Sequence, residues 1–324
     1  DAEGQTTTWG YDYRGRKVRR TLPLGQSESW TYTYRGNVKT HTDFEGEVTN
    51  YSYDAHNRLK SVLYPDLSRV SYTYDVAGRR TSVTDNRGST VYNYDGRGRL
   101  SLVTNPDASQ VGYTYDANGN KLTVSTVNST TVYTYDSLNR IKTVTDSSGV
   151  TVYTYDLNGK QDVVTYPNGT QADYDYDSLG RLVYLENRGP GGTISSYAYT
   201  LDDAGNRTQV VEHDGRTVSY SYDDLYRLLS ETISDGVGTE SFVYTYDDVG
   251  NRLAKVECLD ADCEETAYTY NLNNQLLTET VGTDVTSYYY DLNGNTVEKV
   301  NLADITLFDY DDANRLVSVD DGST

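Results

Sequence analysis

The chain has 324 residues and is acidic, with 28 Lys and Arg against 48 Asp and Glu and a net charge of −20 at pH 7. This balance argues against a nucleic-acid partner, because binding to phosphates needs clustered Lys and Arg. The sequence has no run of about 18 apolar residues, so it also predicts no membrane-spanning helix.

Tyrosine dominates the aromatic residues, with 34 Tyr against three Phe and two Trp. A dry core would use more Phe, Leu and Ile, whereas Tyr offers apolar area with a polar end that needs water or a partner. The composition therefore predicts a thin core or a surface that stays partly wet. The chain contains no Met, which indicates a mature product or a piece of a longer protein.

A motif with the consensus Y-D-x-x-G recurs fifteen times. Most copies are 20 or 21 residues apart, and the spacing grows to 25 before Leu201 and to 24 before Tyr246 and Tyr270. Repetition with such a period is typical of architectures in which each copy is one structural unit. The residues at the Tyr position are Tyr11, Tyr32, Tyr53, Tyr74, Tyr94, Tyr115, Tyr135, Tyr155, Tyr176, Leu201, Tyr222, Tyr246, Tyr270, Tyr290 and Tyr310.

The motif has the chemistry of a tight turn. Asp follows the Tyr position in thirteen copies, and Gly or Asn stands three residues later in fourteen. Gly and Asn take positive φ most easily, and an Asp side chain accepts hydrogen bonds from nearby backbone N–H groups. We therefore expect a type I turn closed by a left-handed residue. Tyr226 stands at the Gly position in YDDLYRLL, and we expect a shifted turn there. The turn residues of seven central copies are Asp54, Asn57, Asp75, Gly78, Asp95, Gly98, Asp116, Gly119, Asp136, Asn139, Asp156, Gly159, Asp177 and Gly180.

Alternating side chains predict a strand on each side of this turn. In TVYTYD, Tyr133 and Tyr135 share one face of the strand, and Val132 and Thr134 share the other. A second strand such as RIKTVTD follows, and then a second reversal such as TDSSGVT. Two strands and two turns per copy predict an antiparallel meander with essentially no helix.

Long insertions fall only in the second reversal. The two kinds of turn lie on opposite rims of a meander, so we expect one uniform rim and one that carries long hairpins at about 184–199, 229–244 and 253–268. Cys258 and Cys263, the only cysteines, flank the last hairpin tip. In an oxidising compartment they would close a small loop as a disulfide. Two thiolates make only half a zinc site, so metal binding is not expected.

Fifteen copies supply about thirty strands, whereas open sheets rarely exceed about ten strands without curling. Right-handed twist accumulates along the sheet, and thirty strands are too many for a filled barrel. We therefore expect an all-β fold: a continuous antiparallel β-hairpin meander of about 15 repeats over residues 1–324, coiled into a hollow spiral shell or tube. Bare terminal strands are templates for pairing, so we expect further repeats beyond both ends or pairing with another chain.

The repeated sequences YTYDVAGRR at 72–80 and YDSLGRL at 176–182 resemble the RHS/YD-repeat family, and the resemblance covers nearly the whole chain. It implies a long sheet that spirals into a hollow shell. Relatives are bacterial RHS toxins, shell components of insecticidal toxin complexes, wall-associated proteins and teneurin ectodomains. In several of them the shell encloses a C-terminal toxic or variable segment. The sequence has neither an Asp-Pro-rich RHS core segment nor a toxin domain, so the resemblance carries over no self-cleavage residues.

The sequence offers no pattern of catalytic or metal-binding chemistry. His41, His56 and His213 lie outside any metal-binding spacing, and Ser, Asp and Glu are too common for a triad or a carboxylate pair to be diagnostic. The calcium-like stretches at 116–120 and 291–295 fall in the turn register and lack the Glu of an EF-hand. We therefore expect no enzyme, no cofactor and no metal. Glycosylation sequons occur at Asn50, Asn128, Asn168 and Asn206.

These observations predict a non-enzymatic extracellular or cell-surface protein that forms the wall of a hollow shell and encloses or displays a polypeptide. Two alternatives stay open: a subunit of an extracellular filament or sheath joined by end-to-end strand pairing, or a carbohydrate-binding module that uses the long hairpins. The expected partners are neighbouring repeats of a longer chain or identical subunits, an enclosed polypeptide, and glycans in the last alternative.

Overall fold

The computed structural model describes residues 1–302 and 304–322. These residues contain thirty β-strands and no helix, and the strands belong to one sheet. Consecutive strands pair antiparallel, as in the successive pairs that run from β13 to β16. The all-β meander is therefore confirmed.

Each copy of the motif supplies two strands, one on each side of the Y-D-x-x-G turn. The strands of the first half are β1 Thr8–Tyr11, β2 Lys17–Thr21, β3 Ser27–Tyr32, β4 Val38–Thr42, β5 Val48–Tyr53, β6 Leu59–Leu63, β7 Arg69–Tyr74, β8 Arg80–Asp85, β9 Gly88–Tyr94, β10 Leu100–Thr104, β11 Gln110–Tyr115, β12 Lys121–Ser125, β13 Thr130–Tyr135, β14 Ile141–Asp146 and β15 Gly149–Tyr155. Those of the second half are β16 Gln161–Thr165, β17 Gln171–Tyr176, β18 Leu182–Gly189, β19 Gly192–Leu201, β20 Arg207–Glu212, β21 Thr217–Tyr222, β22 Leu228–Ser234, β23 Thr239–Tyr246, β24 Arg252–Leu259, β25 Asp262–Tyr270, β26 Leu276–Val281, β27 Asp284–Tyr290, β28 Thr296–Asn301, β29 Asp304–Tyr310 and β30 Leu316–Asp320.

The Y-D-x-x-G turn is a five-residue loop with a bulge. In the seventh copy, Asp136 N donates to the carbonyl oxygen of Arg140 at 2.9 Å, and Asn139 N donates to that of Asp136 at 3.1 Å. Asn139 has a φ of 61°, in the left-handed region. The strand register shifts by one residue between Thr134 and Tyr135. The single left-handed residue therefore reverses the chain and adds the local twist of a bulge.

The prediction of a shifted turn at Tyr226 is wrong. Tyr226 N donates to the carbonyl oxygen of Asp223 at 2.9 Å, and Asp223 N donates to that of Arg227 at 3.0 Å, as in the other copies. Tyr226 itself adopts a φ of 63°. The neighbouring hairpins fix the turn, so Tyr226 accepts an unfavourable conformation instead of moving the turn.

The Tyr face is the more buried face of the sheet. In β13, Tyr133 and Tyr135 are half-buried, whereas Val132 and Thr134 are exposed. No large side chain in the described part of the chain is completely buried, and the buried apolar residues are few. The sheet therefore has no thick core. The buried apolar residues are Val62, Val164, Ala172, Val210, Val218 and Tyr268.

The chain forms two compact units. Unit 1 comprises Asp1–Ser89, Tyr244–Val256 and Glu264–Thr324, and unit 2 comprises Thr90–Val243 and Glu257–Cys263. Unit 1 therefore brings the first and last copies of the motif together, whereas unit 2 holds the central copies.

Candidate functional site

The turn Asp closes the hairpin with its two carboxylate oxygens. Asp136 Oδ1 accepts hydrogen bonds from the backbone N–H groups of Leu138 at 2.8 Å and Arg140 at 2.9 Å. Asp136 Oδ2 accepts one from Arg140 Nε at 2.7 Å. The backbone hydrogen bond from Arg140 holds the pKa of Asp136 below its ordinary value, and the hydrogen bond from the Arg140 guanidinium acts in the same direction.

The same chemistry recurs along the array. At four further turns, the main cause of the lowered carboxylate pKa is a backbone hydrogen bond from the Arg four residues later in the sequence. The carboxylates are those of Asp54, Asp95, Asp177 and Asp223.

In several turns the Arg also reaches the next repeat. Arg99 Nε donates to Asp95 Oδ2 at 2.7 Å, and its Nη1 donates to the carbonyl oxygen of Asp116 at 2.8 Å. The same guanidinium lies 4.6 Å from the ring centroid of Tyr115. One side chain therefore joins two successive turns by an ion pair, a hydrogen bond and a cation–π contact.

The Tyr hydroxyl provides a further connection between repeats. Tyr115 Oη donates to the carbonyl oxygen of Leu100 at 2.8 Å, and Tyr155 Oη donates to that of Ile141 at 2.7 Å. Leu100 and Ile141 each begin the second strand of the preceding copy. Phe at this position would leave that carbonyl oxygen without this donor, which explains why the motif uses Tyr. Equivalent bonds are made by Tyr53, Tyr74, Tyr135, Tyr222, Tyr270 and Tyr290.

We call the Asp, the Arg and the Tyr of the next copy the Asp–Arg–Tyr latch. The sequence analysis identified the Asp and Gly positions of the turn but missed the Arg and the role of the Tyr hydroxyl. The Arg could have been found, because Arg or Lys follows the Gly or Asn position directly in most copies up to the ninth.

Some copies replace the Arg by Asn. Asn120 Nδ2 donates to Asp116 Oδ2 at 2.8 Å and to Asn139 Oδ1 of the next turn at 2.8 Å. The amide therefore keeps the link to the next turn but carries no charge. Asn206 likewise donates to Asp202 Oδ2 at 2.9 Å, so the amide of this sequon is engaged in a turn, whereas Asn50, Asn128 and Asn168 are exposed.

Unit 1 contains a contact between the two rims of the sheet. Asn293, in the fourteenth turn, accepts a hydrogen bond from Phe44 N at 3.1 Å and donates one to Asp43 Oδ2 at 2.8 Å. Leu292 N donates to Glu45 Oε1 at 2.9 Å. Asp43, Phe44 and Glu45 belong to the second reversal after the second copy. A turn of one rim therefore lies on a loop of the other rim.

The rim contact repeats with a constant offset. In the thirteenth turn, Asn273 accepts a hydrogen bond from Leu24 N at 3.4 Å, and in the fifteenth, Asp312 accepts one from Asp66 N. Leu24 and Asp66 lie in the reversals after the first and third copies. In each case the partners are twelve copies apart, so the ribbon returns to itself within unit 1. The prediction that the meander coils is therefore confirmed.

The tips of two long hairpins in unit 2 are joined. Cys258 and Cys263 form a disulfide across the tip between β24 and β25. Next to it, Asp260 N donates to the carbonyl oxygen of Thr239 at 2.7 Å, and Asp260 Oδ1 accepts from Thr239 N at 2.9 Å. The disulfide therefore holds the loop that contacts the neighbouring hairpin between β22 and β23.

The first four strands carry an aromatic cluster that the sequence analysis missed. The Trp30 ring stacks on the His41 ring, with centroids 5.3 Å apart, and on the Trp9 ring at 6.4 Å. The buried Glu28 carboxylate accepts a hydrogen bond from Arg20 and lies 2.7 Å from His41 Nε2. The residues are separated in sequence and become neighbours only through strand pairing.

The described residues hold no group of three or more His, Cys, Asp or Glu side chains that is placed to bind a metal ion. Across the same residues, no helix is long and apolar enough to cross a membrane. The geometry is thus that of a structural repeat: hairpins latched side by side into a thin wall.

The chain belongs to the teneurin YD-shell family, whose model matches residues 80–257. The RHS repeat model matches residues 32–69 and 53–90. The sequence matches no curated protein. A structural shell role is therefore supported by the family.

Solved structures of Tc toxin components share the fold. The chain is similar to the TcdB2–TccC3–TEV structure, with a TM-score of 0.61 and 16% identity over 98% of this chain and 23% of the other. TcdB2–TccC3 without its hypervariable C-terminal region gives the same values. The pore form of the Tc holotoxin of Photorhabdus luminescens gives a TM-score of 0.57 and 15% identity over 94% of this chain and 22% of the other. The chain thus spans about a quarter of the length of these chains.

Proposed function

We propose that this chain is a non-enzymatic segment of the wall of a YD shell, that residues 1–324 form a single repeat array in that wall, and that the wall encloses or displays a polypeptide outside the cell. The observation that carries the proposal is the rim contact in unit 1. A ribbon that returns to its own rim after twelve copies can build a wall that is closed without a filled core.

The latch supports a wall function in a second way. Each repeat is held to the next by hydrogen bonds and cation–π contacts at the rim instead of by deep apolar burial. Stability of this kind is a sum over neighbours, so the wall can be lengthened by further copies. Stability of this kind does not require a cargo inside the shell.

The solved relatives support the choice of partner. One of them is TcdB2–TccC3 without its hypervariable C-terminal region, and another is the pore form of a Tc holotoxin. We infer a polypeptide cargo for the shell to which this chain contributes, and neighbouring repeats of a longer chain as its direct partners. Secretion is consistent with the disulfide between Cys258 and Cys263, because disulfides persist mainly in oxidising compartments.

Small-angle X-ray scattering of the 324-residue chain tests the wall. A hollow wall gives a distribution of interatomic distances that is shifted to long distances for the mass, whereas a filled globule gives a nearly symmetric one. Cryo-electron microscopy of the same sample should reveal a solvent-filled interior. A compact particle with the density of an ordinary globular protein would refute the proposal.

The cargo role needs a separate measurement. A disordered peptide with a protease site, fused after Thr324, should be cleaved more slowly than the same peptide fused to an unrelated soluble protein. The control is the fusion carrying Asp95→Ala, Asp136→Ala and Asp177→Ala, which remove three latches. Equal cleavage of all fusions would limit the role of this chain to display.

A further inference from the structure

The four glycosylation sequons are presented differently by the folded chain. A sequon consists of an Asn amide and a hydroxyl two residues later. Asn50 lies inside β5, which is paired on both sides, and the hydroxyl of Ser52 in its sequon is hydrogen-bonded to that of Ser61 at 2.8 Å. The amide of Asn206 donates to Asp202 Oδ2 at 2.9 Å. In each of these two sequons, one of the two required groups is therefore already bonded within the sheet.

Asn168 lies in the tight reversal between β16 and β17, the second reversal of the eighth copy. Tyr166 N donates to the carbonyl oxygen of Thr170 at 2.9 Å, and Gly169 N donates to that of Tyr166 at 2.9 Å. Gly169 has a φ of 81°, so it supplies the left-handed residue of a type I turn with a bulge. The sequon formed by residues 168–170 is therefore held in a turn of defined geometry.

Side-chain hydrogen bonds within this reversal orient the Asn168 amide. Asn168 Oδ1 accepts hydrogen bonds from Thr170 N at 3.0 Å and from Thr170 Oγ1 at 2.8 Å. Asn168 is exposed, and its Nδ2 has no acceptor among residues 1–302 and 304–322. In the remaining sequon, Asn128 is also exposed, but within the described chain it makes no hydrogen bond to Thr130. Asn168 therefore combines a free amide nitrogen with a sequon hydroxyl that is held next to the amide.

A groove of about 450 Å³ lies beside the Asn168 amide. It is lined by Ser148, Tyr166, Pro167, Asn168 and Thr170, and Tyr166 is 41% exposed. The Tyr ring offers a flat apolar surface, and the Ser and Thr hydroxyls offer polar groups. This combination suits a sugar ring, which has an apolar face and hydroxyl groups at its edge. All five residues belong to unit 2 and to reversals that have neighbouring copies on both sides.

We propose that Asn168 is a modification site and carries an N-linked oligosaccharide whose first sugar lies in this groove against the Tyr166 ring. The donor is an oligosaccharide on a polyisoprenyl diphosphate, and the catalyst is an oligosaccharyltransferase. Asn168 Nδ2 forms a bond to the anomeric carbon of the first sugar, and the bond from that carbon to the diphosphate oxygen breaks. The diphosphate keeps the electron pair of the broken bond, and one amide proton passes to a base of the transferase.

The modification rests on the extracellular placement proposed above, because a secreted chain meets the transferase on its way out of the cell. An experiment that supplies the transferase and the donor directly does not use secretion. Failure of the extracellular placement would therefore not be mistaken for failure of the site.

The test is glycosylation in vitro of the folded 324-residue chain by a purified single-subunit oligosaccharyltransferase with a polyisoprenyl-diphosphate oligosaccharide. Peptide mass spectrometry should find the oligosaccharide on Asn168 at an occupancy about fivefold above that of any other sequon, because the free amide lies in an exposed turn. Thr170→Ala should abolish this modification, whereas Thr170→Ser keeps the hydroxyl and should retain it. Asn128→Gln is the matched control and should leave the occupancy of Asn168 unchanged.

The Tyr166 ring provides a second readout. The modified chain should have a higher urea midpoint than the unmodified chain, because the first sugar covers the exposed ring. This gain should be lost in the modified Tyr166→Ala variant. Equal gains in the parent and in Tyr166→Ala would overturn the placement of the sugar against the ring.

An acceptor peptide of unrelated sequence establishes that the transferase is active, and circular dichroism establishes that each variant retains the sheet. Absence of the oligosaccharide from the folded chain would overturn the proposal. Equal occupancy of Asn128 and Asn168 would also overturn it, and so would occupancy of Asn168 only in urea. In either case the folded reversal would not select the site.

Discussion

The hydroxyl of Tyr155 donates a hydrogen bond to the carbonyl oxygen of Ile141 at 2.7 Å, across fourteen residues of sequence. The guanidinium of Arg140 lies 4.2 Å from the centroid of the same ring. Tyr155 thus contacts both the Arg140 guanidinium and the Ile141 carbonyl group of the preceding copy. The repetition of Tyr in the sequence is the repetition of this bridge.

Tyr155→Phe should remove the bridge and keep the ring. The lost hydrogen bond lowers the free energy of unfolding by about 1 kcal/mol, and the urea midpoint should fall accordingly. The control is Tyr289→Phe, because Tyr289 lies on the exposed face of β27 and its change should leave the midpoint within error. Equal midpoints for the two variants would show that the hydroxyl does not hold the repeats together.

Tyr226→Gly should stabilise the protein. Tyr226 has a φ of 63° and is 63% exposed, so Gly removes backbone strain and loses little packing. We expect an increase of about 1 kcal/mol in the free energy of unfolding. Leu225→Gly is the control, since Leu225 has no positive φ. This variant should be less stable than the parent, because Gly raises the backbone entropy of the unfolded chain. A lower midpoint for Tyr226→Gly would mean that the ring contributes more than the strain costs.

The prediction of the fold from sequence succeeded because turn chemistry is local. Asp95 and Gly98 are three residues apart, and their side-chain and φ preferences indicate a reversal whatever surrounds it. The failure at Tyr226 has the opposite origin: its neighbours in the sheet decide the conformation, and they are not visible in a five-residue window. Periodicity is visible in the sequence because every copy obeys the same local rule.

The rim contact was beyond the reach of the sequence for a geometric reason. The coil was predicted from strand number and twist, but the offset of twelve copies depends on the curvature of the whole ribbon. Asn293 and Phe44 are 249 residues apart and share no pattern. The cluster of Trp30, His41 and Glu28 was missed for a similar reason, since its members meet only by strand pairing.

The turn carboxylates predict loss of stability in acid. The backbone hydrogen bond from Arg99 holds the pKa of Asp95 below its ordinary value. A group whose pKa is lowered in the folded state stabilises the fold above its unfolded pKa, near 3.9, and this contribution is lost as pH falls through the folded value. We therefore expect the urea concentration at the unfolding midpoint to decrease when the pH is lowered below about 4.

Asp95→Asn isolates one latch in that pH profile. The variant should be less stable than the parent at pH 6 and should approach it near pH 2, because the lost ion pair no longer contributes there. Asp224→Asn, at an exposed turn tip, is the control and should give a profile parallel to that of the parent. A constant difference between Asp95→Asn and the parent at every pH would contradict the assignment.

The disulfide should act locally. A loop as small as the one between Cys258 and Cys263 contributes about 2 kcal/mol through the entropy of the unfolded chain. The double variant Cys258→Ser and Cys263→Ser should therefore speed hydrogen exchange at Asp260 and Thr239, whose backbones are bonded to each other at the hairpin tips. Exchange in β10 and β11 should remain unchanged, and faster exchange there as well would show that the hairpin supports the whole array.

The rim contact in unit 1 should weaken when one side-chain amide is removed. Asn293→Ala removes the acceptor of Phe44 N and the donor to Asp43, so hydrogen exchange at Phe44 should accelerate by about tenfold, the factor expected for the loss of about 1.4 kcal/mol of local protection. Asn158→Ala is the matched control, because Asn158 occupies the same position in a turn that makes no rim contact in unit 1. Its change should leave exchange at Phe44 unaltered. If Asn293→Ala also leaves Phe44 unaltered, the offset of twelve copies is not held by these side chains, and backbone curvature alone brings the two rims together.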